Sequence, residues 1–258
     1  MKPGKRNLLL EIEYDGSNYC GWQIQSRQLP VCGLRPEKRS VQETLQKALN
    51  KILREKVKLI GSGRTDAGVH AAKQFANFIS NSTLDLDKLN GSLNALLPDD
   101  ISVNSVKRVS PDFHSRFNVK SKVYRYTIIN RRQRPAIMRD YAYFCRYPLN
   151  IGLIRREAKA VLGRHNFSAF CASAGKKKNP LKRIKSLKIK KENDFIYIEI
   201  EADSFLYNMA RNIVGTLIEI GRGRFGAGTM KKILVSKDRK LAGPTAPAKG
   251  LCLLEVKY

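Results

Sequence analysis

Two mixed α+β lobes are predicted for this chain of 258 residues. Three observations carry the prediction. Short alternating apolar runs recur along the whole sequence, the pattern of half-buried, antiparallel-looking strands. Amphipathic helices with start signals fall between them. Both halves hold the same mixture without a sequence-level repeat, and the length suits two domains. The division is expected near residues 107–112, giving lobes 1–108 and 109–258.

Asn7-Leu-Leu-Leu-Glu-Ile-Glu-Tyr14 alternates as a strand, and Asp15-Gly16 supplies a turn. Pro30, Gly33 and Pro36 break any regular pattern in residues 26–39. Ser40-Val-Gln-Glu43 is a capping box, opening a helix whose apolar face includes Val41, Leu45, Ala48, Leu49 and Ile52. A Gly-rich segment spans 61–71, followed by strands over Gln74–Ile79 and Ile101–Val106 with a helix, Leu89–Leu97, between them. In the second half Lys122–Ile129 reads as a strand with Tyr124 and Tyr126 on one face. Leu153–Leu162 and Phe205–Ile220 read as helices, the latter capped by Asp203 or Ser204. Phe195–Glu201 and Leu251–Tyr258 alternate as strands.

Composition narrows the partner. The net charge is +27, with 17 Lys/Arg against 11 Asp/Glu in residues 1–108 (+6) and 32 against 11 in residues 109–258 (+21). Such a surface suits a polyanion, because cationic side chains displace counterions condensed on phosphates. Five widely spaced cysteines contain no C-x-x-C pair, and the three histidines are scattered, which argues against a disulfide framework and a zinc site. No apolar run approaches a membrane span. The stretch Leu8-Leu9-Leu10 is cut by Glu11 and Glu13, so it does not read as a secretory signal. A cytoplasmic protein is expected.

Five segments are weighed for chemistry. Gly61-Ser-Gly-Arg-Thr-Asp-Ala-Gly-Val-His-Ala71 holds one cation, Arg64, and one carboxylate, Asp66, in a tight loop. Glycine allows close backbone approach to a ligand; a surface turn capped by Asp66 is the plainer alternative. Gly221-Arg-Gly-Arg-Phe-Gly226 matches a dinucleotide fingerprint, but the expected helix before it is the wrong context. Arg211 lies at the edge of the apolar arc of the 205–220 helix, either snorkelling or partnering a buried carboxylate. Tyr124 and Tyr126 sit among cations, which suits base stacking as well as an ordinary strand face. Lys176–Lys191 holds nine Lys or Arg and no acid, a pattern usual for solvated loops and suitable for a phosphate track.

Together these blocks resemble the tRNA pseudouridine synthase A family along nearly the whole chain. The resemblance runs through Tyr14-Asp-Gly-Ser-Asn-Tyr-Cys-Gly-Trp-Gln23, Ser40–Glu43, Gly63-Arg-Thr-Asp-Ala-Gly-Val-His-Ala71 and Phe113-His-Ser-Arg-Phe117. It continues in Lys122-Val-Tyr-Arg-Tyr126, Phe205–Gly215 and Gly250-Leu-Cys-Leu253. It implies two α+β lobes around a continuous, mostly antiparallel sheet with a basic active-site cleft between them. It further implies a homodimer that modifies uridines 38, 39 and 40 in the anticodon arm of tRNA, without a cofactor or metal. By the same resemblance Asp66 is the nucleophile and Arg64 enters the RNA stack when the target base swings out. Tyr124 packs against that base, its hydroxyl a candidate for proton removal, and Arg211 pairs with the catalytic aspartate. Two departures from the family pattern bear on RNA contacts: a Pro/Gly/Arg-rich insertion at 28–38, and Lys182 where relatives carry arginine.

The chemistry agrees with the residue types. Forming pseudouridine breaks N1–C1′, turns the uracil and rejoins it through C5, an isomerisation needing neither redox cofactor nor nucleotide energy. A carboxylate nucleophile must be ionised, and a neighbouring guanidinium favours that form. The target base must also leave the stack, at a cost of about a few kcal/mol. A non-catalytic RNA-binding protein is the competing class, but it gives no reason for an acid in a cationic loop. A uridine-modifying relative acting on another RNA is the second alternative.

Overall fold

The computed structural model describes residues 4–24, 39–172 and 179–258. Strand β1 (Arg6–Tyr14) buries Leu8, Leu10, Ile12 and Tyr14, so its alternation becomes a core face. Ser40 caps α1 (Val41–Leu53), its Oγ accepting from the Glu43 N–H at 3.1 Å, as the capping box predicts. Val41, Leu45, Ala48 and Leu49 of α1 are buried, and Ile52 is half-buried. Strands β2 (Ile60–Gly61) and β3 (His70–Ser80) bracket the Gly-rich loop. β3 runs antiparallel to β1, with Leu8 opposite Phe78 and Leu10 opposite Ala76.

Helix α2 (Leu86–Leu96) begins at Leu86 rather than the expected Leu89. The cause is local: the Asp85 carboxylate accepts from the N–H groups of Asp87 (3.0 Å) and Lys88 (3.1 Å). β4 (Ile101–Val109) completes the order β4-β1-β3.

These elements form one compact unit, with the chain up to Lys120 and the C-terminal Leu253–Tyr258; Ser121–Cys252 form a second. The division falls after the expected 107–112 because β1 holds the following segment. Asn7 Nδ2 donates to the carbonyls of Ser110 (2.9 Å) and Phe113 (2.8 Å).

In the second unit β5 (Ser121–Asn130) pairs in parallel with β6 (Tyr143–Cys145). Helix α3 (Ile151–Ala158) starts two positions before the expected Leu153, because Asn150 caps it, its side chain accepting from the Leu153 N–H. A 3₁₀ turn, Lys159–Val161, replaces the end of the expected helix. β7 (Gly163–Asn166), β8 (Leu181–Glu192) and β9 (Phe195–Ala202) join β5 in the antiparallel order β5-β9-β8-β7. From Leu181 onward the basic run is therefore strand rather than loop. Ile184, its one buried residue, gave too weak an alternation among the cations.

Helix α4 (Met209–Gly221) begins four residues later than Phe205. Neither Asp203 nor Ser204 caps it: the Asp203 carboxylate accepts from the Arg183 N–H and from Ser204 Oγ, both at 3.3 Å. Asn208 takes the cap position instead, with φ at 61°. The chain finishes with α5 (Thr229–Ser236) and β10 (Leu251–Lys257). A helix, not a strand, thus precedes Gly221–Gly226. The 28–38 insertion and Lys176–Lys178 lie outside the described residues.

Candidate active site

The Gly-rich loop is fastened at almost every residue. Ser62 N–H donates to the Phe75 carbonyl at 2.7 Å, and Ser62 Oγ bonds the Gln74 side chain. Gln74, fully buried, also donates from Nε2 to the Gly63 carbonyl at 3.1 Å. Thr65 Oγ1 shares a buried hydrogen bond with Tyr14 Oη at 2.8 Å. Its carbonyl accepts from the Trp22 N–H at 3.2 Å. The Asp66 carbonyl accepts from the Val69 N–H at 3.2 Å, closing a turn around Gly68 at φ 75°.

The Tyr14–Gln23 block supplies the surface against which this loop is pressed. Gly21 has φ of 99°, and a Cβ there would stand 2.6 Å from the Thr65 carbonyl oxygen and 3.1 Å from the Asp66 carbonyl carbon. The Val69 carbonyl oxygen fills the place of a Cβ on Gly16, and the Trp22 indole does the same at Gly61. Glycine is required here for main-chain contact as well as for dihedral freedom. The result is a rigid loop that leaves Asp66 half-buried and Arg64 exposed.

Tyr124 and Arg211 belong to the second unit, on β5 and α4. Tyr124 is buried, its ring meeting Phe205 edge-on at 4.9 Å between centroids. Tyr126 lies on the same strand face but is core. Its ring occupies the space beside Gly250, its hydroxyl donates to the Pro247 carbonyl at 2.9 Å, and burial pushes its pKa up. The base-stacking option raised for Tyr126 is thereby corrected. A fully buried ring offers no face to a nucleobase.

The late start of α4 places Arg211 in its first turn, where a cation opposes the helix dipole. It is held there all the same. Nε donates to the Ala246 carbonyl at 2.8 Å and Nη1 to Asn208 Oδ1 at 3.2 Å, while the Ala246 N–H donates back to the Arg211 carbonyl at 3.2 Å. The loop carrying Ala246 is tied to α4 by buried polar groups. Asn212 Oδ1 accepts from Thr245 Oγ1 (2.7 Å) and from Arg239 Nη2 (3.1 Å). Thr216 Oγ1 accepts from the Gly243 N–H at 2.9 Å. Sequence reasoning missed Asn208, Asn212, Arg239 and Thr245 as positioning residues. A polar face on an otherwise apolar helix is the signal that could have found Asn212 and Thr216.

Among the described residues, no group of three or more His, Cys, Asp or Glu side chains could hold a metal ion. No helix among them is long and apolar enough to cross a membrane.

A carboxylate, Asp66, and an arginine, Arg64, thus stand two residues apart on a loop pinned by main-chain contacts. Comparison with known proteins gives the chain its class. The family model described as tRNA pseudouridine synthase matches residues 12–118 and 158–258. The chain belongs to this family of enzymes, which are isomerases acting on tRNA uridine. Over 253 residues it is 46% identical to the tRNA pseudouridine synthase A of Thermoanaerobacter sp. (strain X514), covering 98% of this chain and all of that one. Identity is 42% to the proteins of the same name from Clostridium acetobutylicum and Pelobacter propionicus, with the same coverage.

Proposed function

We propose that this protein isomerises uridine to pseudouridine at positions 38, 39 and 40 of the tRNA anticodon arm, with Asp66 as its nucleophile. The observation that carries the reading is the frame around Asp66. Two glycines, Tyr14, Trp22 and Gln74 fix the backbone on both sides of one half-buried carboxylate. Preorganisation of this kind keeps a nucleophile in an attacking position at no reorganisation cost during reaction.

In this reading Asp66 acts on the target nucleotide as N1–C1′ breaks. The uracil turns, C5 bonds to C1′, and the proton leaving C5 is balanced by one gained at N1. Arg64, exposed beside Asp66, takes the space left by the displaced base. Tyr124 packs against the uracil, and Arg211 binds the substrate through a guanidinium already oriented by Ala246 and Asn208. Residues 1–108 thus carry the catalytic loop, and the basic excess of 109–258 serves phosphate contacts. A homodimer working in the cytoplasm is part of the proposal, supported by the family likeness alone.

The test is Asp66→Asn, nearly isosteric, assayed on unmodified tRNA and ribosomal RNA. Pseudouridine should fall below detection, because nothing replaces the lost oxyanion. Affinity for tRNA should stay equal or rise slightly, as one repulsion of phosphate is removed. Normal turnover in the variant would overturn the assignment. Product from ribosomal RNA alone would redirect the substrate.

A further inference from the structure

The turn Phe113–Phe117 has no part in the chemistry above, yet it is among the most firmly anchored surface segments of the first unit. Asn77 Oδ1, in a buried side chain, accepts from the Ser115 N–H at 2.9 Å, while Asn77 Nδ2 donates to Asn7 Oδ1 at 2.9 Å. Asn7 in turn donates to the Phe113 carbonyl at 2.8 Å. Tyr258 Oη donates to the Ser115 carbonyl at 3.1 Å, and its ring lies 5.0 Å from that of Phe113.

What this anchoring presents to solvent is an aromatic ring. Phe117 is 76% exposed and is the one exposed large hydrophobic residue between positions 97 and 136. It is also oriented. The His114 imidazole stacks on it at 4.2 Å between centroids and 29° between planes, and the Arg116 guanidinium carbon lies 5.8 Å from the ring centre. His114 Nδ1 faces the backbone N–H groups of Arg116 (3.2 Å) and Phe117 (3.4 Å), locking the imidazole under the stack.

Phe117 thus stands in water on a turn that a buried polar scaffold fixes in place. We propose that Phe117 is a stacking platform for an unpaired nucleobase of the RNA substrate, with Arg116 as the cation for the adjoining phosphate. An aromatic face accepts any base, and a neighbouring guanidinium matches the backbone that accompanies it. A protein partner fits less well, because a single ring beside one guanidinium is not the contiguous apolar patch such an interface uses. The inference rests on the reading of the substrate as RNA.

Affinity of the full chain for an unmodified tRNA transcript is measured for the wild type, Phe117→Ala, Phe117→Tyr and Arg116→Ala. Phe117→Ala should weaken binding about fivefold to a hundredfold, the range for loss of one base stack, with no change in salt slope. Phe117→Tyr should stay within about twofold, and Arg116→Ala should reduce the salt slope by the amount due to about one phosphate. Unchanged affinity in Phe117→Ala overturns the platform. So does dissociation of an oligomer by that variant at equal concentration, which would make the ring an interface between copies. Wild-type pseudouridine yield is scored separately: binding without product sinks the functional reading, while the affinity ratio still judges Phe117.

Discussion

The carbonyl oxygen of Pro244 occupies the space that a Cβ on Gly215 would need. Two further backbone atoms, Pro244 C at 3.0 Å and Ala246 N at 3.1 Å, crowd the same point. Helix and loop meet main chain to main chain, one helical turn from Arg211. The loop that receives the arginine is therefore seated by a glycine that makes no hydrogen bond to it.

Gly215→Ala must push that loop away, since backbone cannot swing aside as a side chain can. Overpacking of this kind costs about 1–3 kcal/mol, and the displacement carries Ala246 away from Arg211 Nε. Urea denaturation should show the loss of stability. Pseudouridine yield at a temperature where the variant remains folded should fall by at least about tenfold, since about 1.4 kcal/mol lost from transition-state stabilisation suffices for that. Full activity in a destabilised variant would separate the seat of the loop from the function of Arg211.

Tyr124 is informative as phenylalanine rather than alanine. Its ring packs against Phe205, so Tyr124→Ala removes core volume and should destabilise the protein by about 3–5 kcal/mol. Tyr124→Phe keeps that packing and loses only the hydroxyl. Normal tRNA affinity with pseudouridine yield reduced at least about a hundredfold in the Phe variant would assign proton transfer to the hydroxyl. Full activity in both variants would place the pocket elsewhere.

The cations of β8 have a measurable signature. Lys190 sits in an ion pair with Glu192, whereas Arg183 and Lys188 are exposed. Replacing Arg183 and Lys188 by alanine should weaken tRNA binding and lower the slope of log K against log salt by about 0.9 for each phosphate left without its cation. The same experiment on Lys176, Lys177 and Lys178 reports on the first part of the basic run. An unchanged slope in both sets would assign the run to solubility alone.

An isomerisation needs no chemical participant beyond enzyme and RNA. Turnover on unmodified tRNA, folded in monovalent salt, should persist in excess EDTA with no nucleotide or metal added. The readout is pseudouridine yield against time, with tRNA folding monitored in parallel. A strict demand for a metal or nucleotide after folding is controlled would contradict the proposed chemistry.

Much of this protein is legible from neighbouring residues. Ser40 and Glu43 specify the start of α1 because capping is settled within four positions, and the alternation of β1 and β9 specifies which residues turn inward. The fastened loop around Asp66 announces itself by its glycines. Where a residue has a choice of partner, tertiary structure decides. Asp203 could have capped a helix, but the Arg183 N–H on β8 claimed its carboxylate, and α4 begins later, at Met209. Arg211 could have snorkelled, but a carbonyl 35 residues away fixes its Nε. Phe117 looks like any surface phenylalanine until Asn7, Asn77 and Tyr258 converge beneath its turn. Periodicity and capping are energies of adjacent residues, so they are written locally. The choice among competing hydrogen-bond partners is made by packing that brings distant segments within 3 Å or so, and only the folded chain contains it.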